Sequence, residues 1–398
     1  MRPIYMDNAA TTRVDPRVVE AMLPVFTESY GNAASRNHAF GWEAEELVEI
    51  ARRDVASVLG CEARELFFTS GATESDNLAL KGVLRAYASG GRHLVTTKVE
   101  HPAVLDAATA LERDGASVTR LPVDREGRVD PKDVAKAIRD DTVLVSIIHG
   151  NNETGVVQDL AAISHVCRER GVLLHTDATQ SFGKIPTNVQ ALGCDLLSLS
   201  GHKIHGPKGV GALFARRRNP RVRIEPLLDG GGHEGGMRSG TANVPGIVGL
   251  GVAARLAAEG FAAEGLAAGS ADLSRLLDRL ERGIRERLPE GILWNTPSSG
   301  RLPHILNLSV TGVPGEALLL AMRNVAVSSG SACASASLEP SHVLLALGLR
   351  PEDARAALRF SVGRFNTEDE VDRVVEELAM VVTELRAARE RHRQGGPE

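Results

Sequence analysis

The chain offers only seven lysines, and one stands where an apolar run gives way to a turn. In LLSLSGHKIHGPKGVGAL, Lys203 follows the run Leu196–Ser200 by three residues, among glycines that allow backbone to approach a ligand closely. A lysine at a desolvated strand end gives up its proton more readily and can form a Schiff base. Lys208 in the same loop competes for that role, and two solvated lysines in a turn is the plainer alternative. A second run, VLLHTDATQS, ends with Asp177 and Gln180. A carboxylate buried there needs a cationic or N–H partner, and a protonated ring nitrogen is one such partner; a helix N-cap is the alternative. A third, FFTSGATESDNLALKG, turns through Ser70, Gly71 and Ala72 into a helix at Thr73. Small residues at that start leave N–H groups open to a phosphate, although an ordinary capped helix would read the same way. It matches neither a Walker loop nor G-x-G-x-x-G. Phosphate cradle, strand-end Asp and strand-end Lys together indicate a pyridoxal-phosphate site.

Two further loops fit this chemistry. TTKVEHPAV places His101 after a strand, where an imidazole can stack on a flat ring or move protons. IIHGNNETG supplies Asn151, Asn152 and Glu153 after another. Of the four cysteines, Cys61, Cys167 and Cys194 adjoin apolar or helical segments and read as structural. Cys333 differs. It lies in AVSSGSACASASLEPSHVL, with no bulky apolar neighbour from Ser328 to Ser337, and reads as an accessible nucleophile on a mobile loop. In LRFSVGR, Arg359 or Arg364 could clamp a carboxylate bidentately.

The elements that must position these residues alternate. Strands are expected at Glu65–Thr69, His93–Thr97, Val143–Ile148, Val172–Thr176, Leu196–Ser200 and Gly211–Ala215. Helices are expected at Thr73–Ala86, Ala103–Asp114, Pro131–Arg139 and Asp159–Arg170. Near-continuous apolar strands between helices predict an α/β unit with a mostly parallel sheet covered on both faces. Ligands of such sheets bind beyond the strands' carboxyl ends. After a glycine-rich loop, Gly230–Gly240, and a helical stretch of small residues, the pattern changes to a smaller α+β unit. Its helices are expected at Ser270–Arg287, Gly315–Asn324 and Thr367–Glu390, and its strands at His304–Val310 and Ala357–Val362. The expected division is 15–260 for the large domain and 1–14 with 261–398 for the small one.

Bulk properties bound the alternatives. The chain has 398 residues and a net charge of −5, so no basic field points to nucleic acid or an anionic membrane. Its apolar stretches fall far short of the ~18 residues that span a bilayer, and MRPIYMDNAATT has no signal-peptide pattern. A soluble, cytoplasmic protein is the expectation.

The combination resembles the cysteine desulfurases of the NifS/IscS type, closest to the IscS branch. The resemblance rests on MDNAATTRVDPRV, GNAASRNHAFGWEAEE, FTSGATESDNLALKG, EHPAVLD, NNETGVVQD, DATQSFGK, SGHKIHGPKGVGAL, GGGHEGGMRSGT, SSGSACASASLEPSHVL and RFSVGRF. It implies a fold-type I homodimer that uses pyridoxal 5'-phosphate to convert L-cysteine to L-alanine and an enzyme-bound persulfide. By motif match, Lys203 would carry the cofactor, Asp177 would pair with its ring nitrogen, and His101 would stack on the ring and assist proton transfer. Ala72, Thr73, Ser200 and His202 would hold the phosphate with Thr241 of the partner subunit, and Gln180 would bond the phenolic oxygen. Asn152 and Arg359 would bind the substrate carboxylate. Cys333 would take the sulfur and, through its persulfide, would be a transient ligand of a shared iron–sulfur cluster. An iron–sulfur scaffold protein or another sulfur acceptor would be the partner. A selenocysteine lyase, an eliminating lyase or an aminotransferase of the same fold remains the alternative at this point.

Overall fold

The computed structural model describes residues 3–262, 268–329 and 339–394. The chain opens with a short strand, β1 (Ile4–Tyr5), and two helices, α1 (Pro16–Thr27) and α2 (Ala39–Leu59). Strands and helices then alternate as β2 (Leu66–Thr69), α3 (Ala72–Ala86), β3 (His93–Thr97), α4 (Pro102–Arg113), β4 (Ser117–Leu121), α5 (Pro131–Ala137), β5 (Thr142–Ser146), α6 (Leu160–Glu169), β6 (Leu173–Asp177), α7 (Val189–Leu192), β7 (Leu196–Ser200) and β8 (Gly211–Ala215). Helix α8 (Val244–Ala262) follows. The remainder holds α9 (Ala268–Arg287), β9 (Ile292–Trp294), β10 (Ile305–Val310), α10 (Gly315–Ala321), β11 (Val325–Ala326), α11 (His342–Ala346), α12 (Pro351–Arg355), β12 (Ala357–Ser361) and α13 (Glu368–Gln394).

Seven strands form one sheet in the order β2-β8-β7-β6-β5-β3-β4. β8 runs antiparallel to both of its neighbours, whereas β7, β6, β5, β3 and β4 are parallel to one another. All but β4 are buried along their whole length, as continuous Val- and Leu-rich runs between helical layers must be. One face packs against α1, α2 and α8 through residues such as Val48, Val55, Phe214 and Leu250. The other lies under α3 and α4 through Leu80, Val83, Val104 and Leu213.

A second core belongs to the antiparallel sheet β12-β10-β9 with α9 and α13, around Leu280, Leu308, Phe360 and Leu378. The N-terminus joins it: β1 pairs in parallel with β11, and Ile4 and Met6 are buried there. The chain therefore starts in the small core, enters the large one, and returns. Leu256 of α8 belongs to the large core and Leu276 of α9 to the small one.

Candidate active site

Because β2, β3, β5, β6 and β7 point the same way, the loops after them gather along one edge of the sheet. There the N-terminal loop, the large sheet and β12 enclose a cavity of about 470 Å³. Its walls include Ala72, Thr73, His101, Asn152, Asp177, Gln180, Ser200, His202, Lys203, Lys208 and Arg359. Every residue that the resemblance assigned to the site is thus present except Thr241, which is exposed and outside the wall, and Cys333, which lies outside the described residues; Asn151, Glu153 and Arg364, also considered from the sequence, do not line it. Ala9, Ala10 and Thr11 also line the cavity: the two alanines contribute carbonyls, and Thr11 Oγ1 lies 3.2 Å from His202 Nδ1.

Lys203 donates through Nζ to the carbonyls of Ala9 and Ala10, each at 2.7 Å. Its own carbonyl accepts from Nζ of the buried Lys184 at 2.7 Å. Burial, with Lys203 adding to it, brings the Lys184 amine down to about 7. Asp177 ends β6, and one of its oxygens accepts the Thr179 N–H at 2.8 Å. Behind it lie two fully buried carboxyls. Burial, then the charge of Asp177, holds Asp76 well above the carboxylate range. Burial pushes Glu100 up to about 8, although Thr97 Oγ1 and the Ile148 N–H both donate to it. Lack of solvation is the main cause for both buried carboxyls, and the charge of Asp177 adds to it.

His101 caps α4: its Nδ1 accepts the Ala103 N–H at 3.1 Å, which puts the ring hydrogen on Nε2. Burial holds it below its ordinary value, Lys203 adds to this, and Asp177 opposes it. His202 is brought to about 3 by burial and then by the neighbouring lysines, so it is neutral.

The phosphate-type cradle is built by glycine. Gly71 has φ 152° and caps α3 without a side chain. Gly211, opposite it on β8, lets the turn approach: a Cβ there would lie 2.7 Å from Gly71 Cα and 2.5 Å from the Leu199 carbonyl oxygen. Glu74 Oε2 accepts from the Ser70 N–H, and Arg238 of the glycine-rich loop pairs with Glu74 at 2.9 Å.

At the other end, Arg359 is almost wholly buried. It donates to the Asn152 carbonyl at 2.8 Å, to Asp7 at 2.9 Å and to Ser328 Oγ at 3.2 Å. Three polar atoms in this wall, Arg359 Nε, Asn152 Oδ1 and Thr179 Oγ1, are buried without any hydrogen-bond partner. Such atoms mark where a ligand's polar groups belong. Arg364, the other arginine of its run, instead pairs with Asp15 at 2.6 Å. The residues missed from sequence are Lys184, Asp76, Glu100 and His304, all buried. His304 immediately precedes β10, and its Nε2 lies 3.3 Å from Gln180 Oε1. No local pattern distinguishes them from ordinary core-lining residues.

Comparison with known proteins bears on this geometry. Residues 4–374 match the family described as aminotransferase class-V. "Cysteine desulfurase IscS" of Anaeromyxobacter dehalogenans (strain 2CP-C) is 55% identical over 384 residues, which cover 96% of this chain and 93% of that protein. A solved structure titled "NIFS-LIKE PROTEIN" superposes with a TM-score of 0.87 at 39% identity, covering 96% of this chain and all of the other. Another, titled "SspA in complex with cysteine", gives 0.79 at 36% identity, over 92% of this chain and all of that one.

Proposed function

The chain belongs to the class-V aminotransferase family, and on that premise we propose that it is a cysteine desulfurase of the IscS type, working with pyridoxal 5'-phosphate. It converts L-cysteine to L-alanine and leaves the sulfur on Cys333 as a persulfide, for iron–sulfur cluster assembly and other acceptors. The observation that carries this reading is one cavity that joins Lys203, Asp177 and the start of α3 to the unpartnered atoms of Asn152 and Arg359.

The residues present fit the cofactor. When bound, it supplies an electron sink for the charge left as the substrate's α-proton departs. Asp177, at the carboxyl end of β6 and on the cavity wall, would hold the ring nitrogen's proton. Ala72 and Thr73 N–H groups, Ser200 and His202 hold the phosphate, with Thr241 supplied by the partner subunit of a homodimer. Gln180 donates to the phenolic oxygen. Lys203 would be the residue that anchors the cofactor covalently and, once its Nζ is released, would move the α-proton with help from His101. Arg359 and Asn152 orient the substrate carboxylate, which fixes where the substrate's sulfur lies.

Sulfur transfer then needs one nucleophile. The Cys333 thiolate forms an S–S bond as the substrate's Cβ–S bond breaks; that bond's electron pair stays on carbon, and a proton there completes the methyl group of alanine. The chain on either side of this cysteine supports the assignment, since Ser328 accepts from Arg359 and Ser341 donates to Glu153, next to Asn152.

The test is release of alanine and sulfide from L-cysteine with a thiol reductant, comparing wild type with Cys333→Ala. Wild type releases the two in equal amounts, and the variant keeps its visible cofactor absorbance but loses both products. Continued sulfide release accompanied by pyruvate from the variant would identify an eliminating lyase instead.

A further inference from the structure

The geometry points to His304 as a positioning residue that fixes the orientation of the Gln180 amide. The inference rests on the reading of Gln180 as the donor to the cofactor's phenolic oxygen. Three residues in series decide which way each group faces. The Ala9 carbonyl can only accept, and a Gln180 side-chain nitrogen or oxygen lies 2.8 Å from it, so the nitrogen must be on that side. That leaves Oε1 facing His304 Nε2 at 3.3 Å, and Oε1 can only accept, so Nε2 carries the ring hydrogen. His304 Nδ1 is then a bare lone pair, in agreement with its having no partner.

The surroundings keep this tautomer neutral. The ring is fully buried, and burial, then Lys184, Arg359, Lys203 and His205, hold it well below the ordinary imidazole value. A buried ring with one unsatisfied nitrogen costs more than an apolar ring of similar size. What the imidazole supplies in return is its one hydrogen bond, the bond to Gln180. Ala9 O also accepts from Lys203 Nζ at 2.7 Å, so one carbonyl ties the amide and the lysine together.

The consequence is directional. A Gln amide nitrogen has two hydrogens; one goes to Ala9, and the second is available to the cavity. Were the amide reversed, its oxygen would face two acceptors, the Ala9 carbonyl and the ligand's oxygen. Without the His304 donor, Oε1 is stranded and the amide loses one of the contacts that hold it in this orientation, leaving the Ala9 carbonyl alone to fix it in the protein. A donor on a phenolic oxygen stabilises the deprotonated chromophore, so loss of that donor raises the pH at which the bound cofactor's visible absorbance titrates.

The experiment titrates that absorbance in the holoenzyme of wild type, Gln180→Leu, His304→Phe, His304→Gln and the double variant Gln180→Leu/His304→Phe. Cofactor content is measured alongside. Gln180→Leu raises the midpoint by about one pH unit, a tenfold change in the proton equilibrium. His304→Phe moves it the same way, the double variant moves it no further than Gln180→Leu alone, and His304→Gln, which keeps an N–H at similar reach, restores most of the wild-type value. If Gln180→Leu shifts the midpoint and His304→Phe does not, His304 has no positioning role and the Gln180 reading stands. If neither shifts it at full cofactor content, the Gln180 reading itself fails. Should His304→Phe not fold, His304→Asn, whose amide ends short of Gln180, takes its place beside His304→Gln under the same two outcomes.

Discussion

Arg359 heads the large side chains buried completely among the described residues, and a buried guanidinium is tolerated only when its hydrogens are used. Here Asp7, the Asn152 carbonyl and Ser328 use both terminal nitrogens, while Nε is left over. A lysine could neutralise a substrate carboxylate there but could not present a planar fork or bridge to Asp7 at once. Arg359→Lys should therefore lower kcat/KM for L-cysteine by about 100-fold, ~3 kcal/mol, mostly through KM, with the cofactor absorbance intact. Steady-state kinetics and a spectrum of the same preparation check both halves; an unchanged KM would remove Arg359 from substrate binding. At this scale the sequence was informative wherever a reactive side chain ended an apolar run, as Asp177, Lys203 and His101 do. The local pattern alone could not choose between Arg359 and Arg364, which lie on and just after the same short run with only their partners differing; the family resemblance singled out Arg359. His304 and Lys184 sit in unremarkable contexts, and their importance comes from neighbours more than a hundred and about twenty residues away.

Elements bring these residues together by a simple device, five strands in one direction with their loops at one edge, and the device depends on close approach at β8. Gly211 faces the Leu199 carbonyl and the Gly71 turn, neither of which can rotate away as a side chain would. Gly211→Ala should push the start of α3 outward, lowering bound cofactor and costing ~1–3 kcal/mol of stability. Cofactor-to-protein ratio and thermal midpoint report the two effects, and retention of full cofactor content would mean the cradle does not depend on that contact. The central strands were legible because burial on both faces makes them continuous apolar runs. Strand β4, SVTRL, was not, since it lies at the sheet's edge with a mixed surface. Helices α1 and α2 carry Leu23, Phe26, Phe40 and Trp42 on faces turned to solvent.

Those same faces bear on the whole molecule. Val19, Leu23 and Phe26 form a stripe along α1, and Tyr30, Phe40 and Trp42 are exposed as well, with the Tyr30 and Phe40 rings 5.4 Å apart. More than half of the surface of Leu23, Phe26, Tyr30 and Trp42 is open. So many large apolar side chains exposed on two helices and the loop between them call for a covering partner. On the proposed assignment of Thr241 to the phosphate, the cavity calls for one too, because this residue is exposed on the same chain and outside the cavity wall. The loop before it is fastened to the large unit by Arg52–Glu234 at 2.7 Å and by Arg238–Glu74, an arrangement suited to presenting Thr241 to a second copy. Phe26→Asp combined with Trp42→Asp should therefore convert a species of two chains into one, and in the same preparation weaken cofactor retention, because the phosphate loses its contact from across the interface. Sedimentation velocity and absorbance after dialysis measure the two together. Monomers that hold the cofactor as tightly as wild type would separate the apolar patch from the active site, and an undisturbed dimer would move the interface to another face.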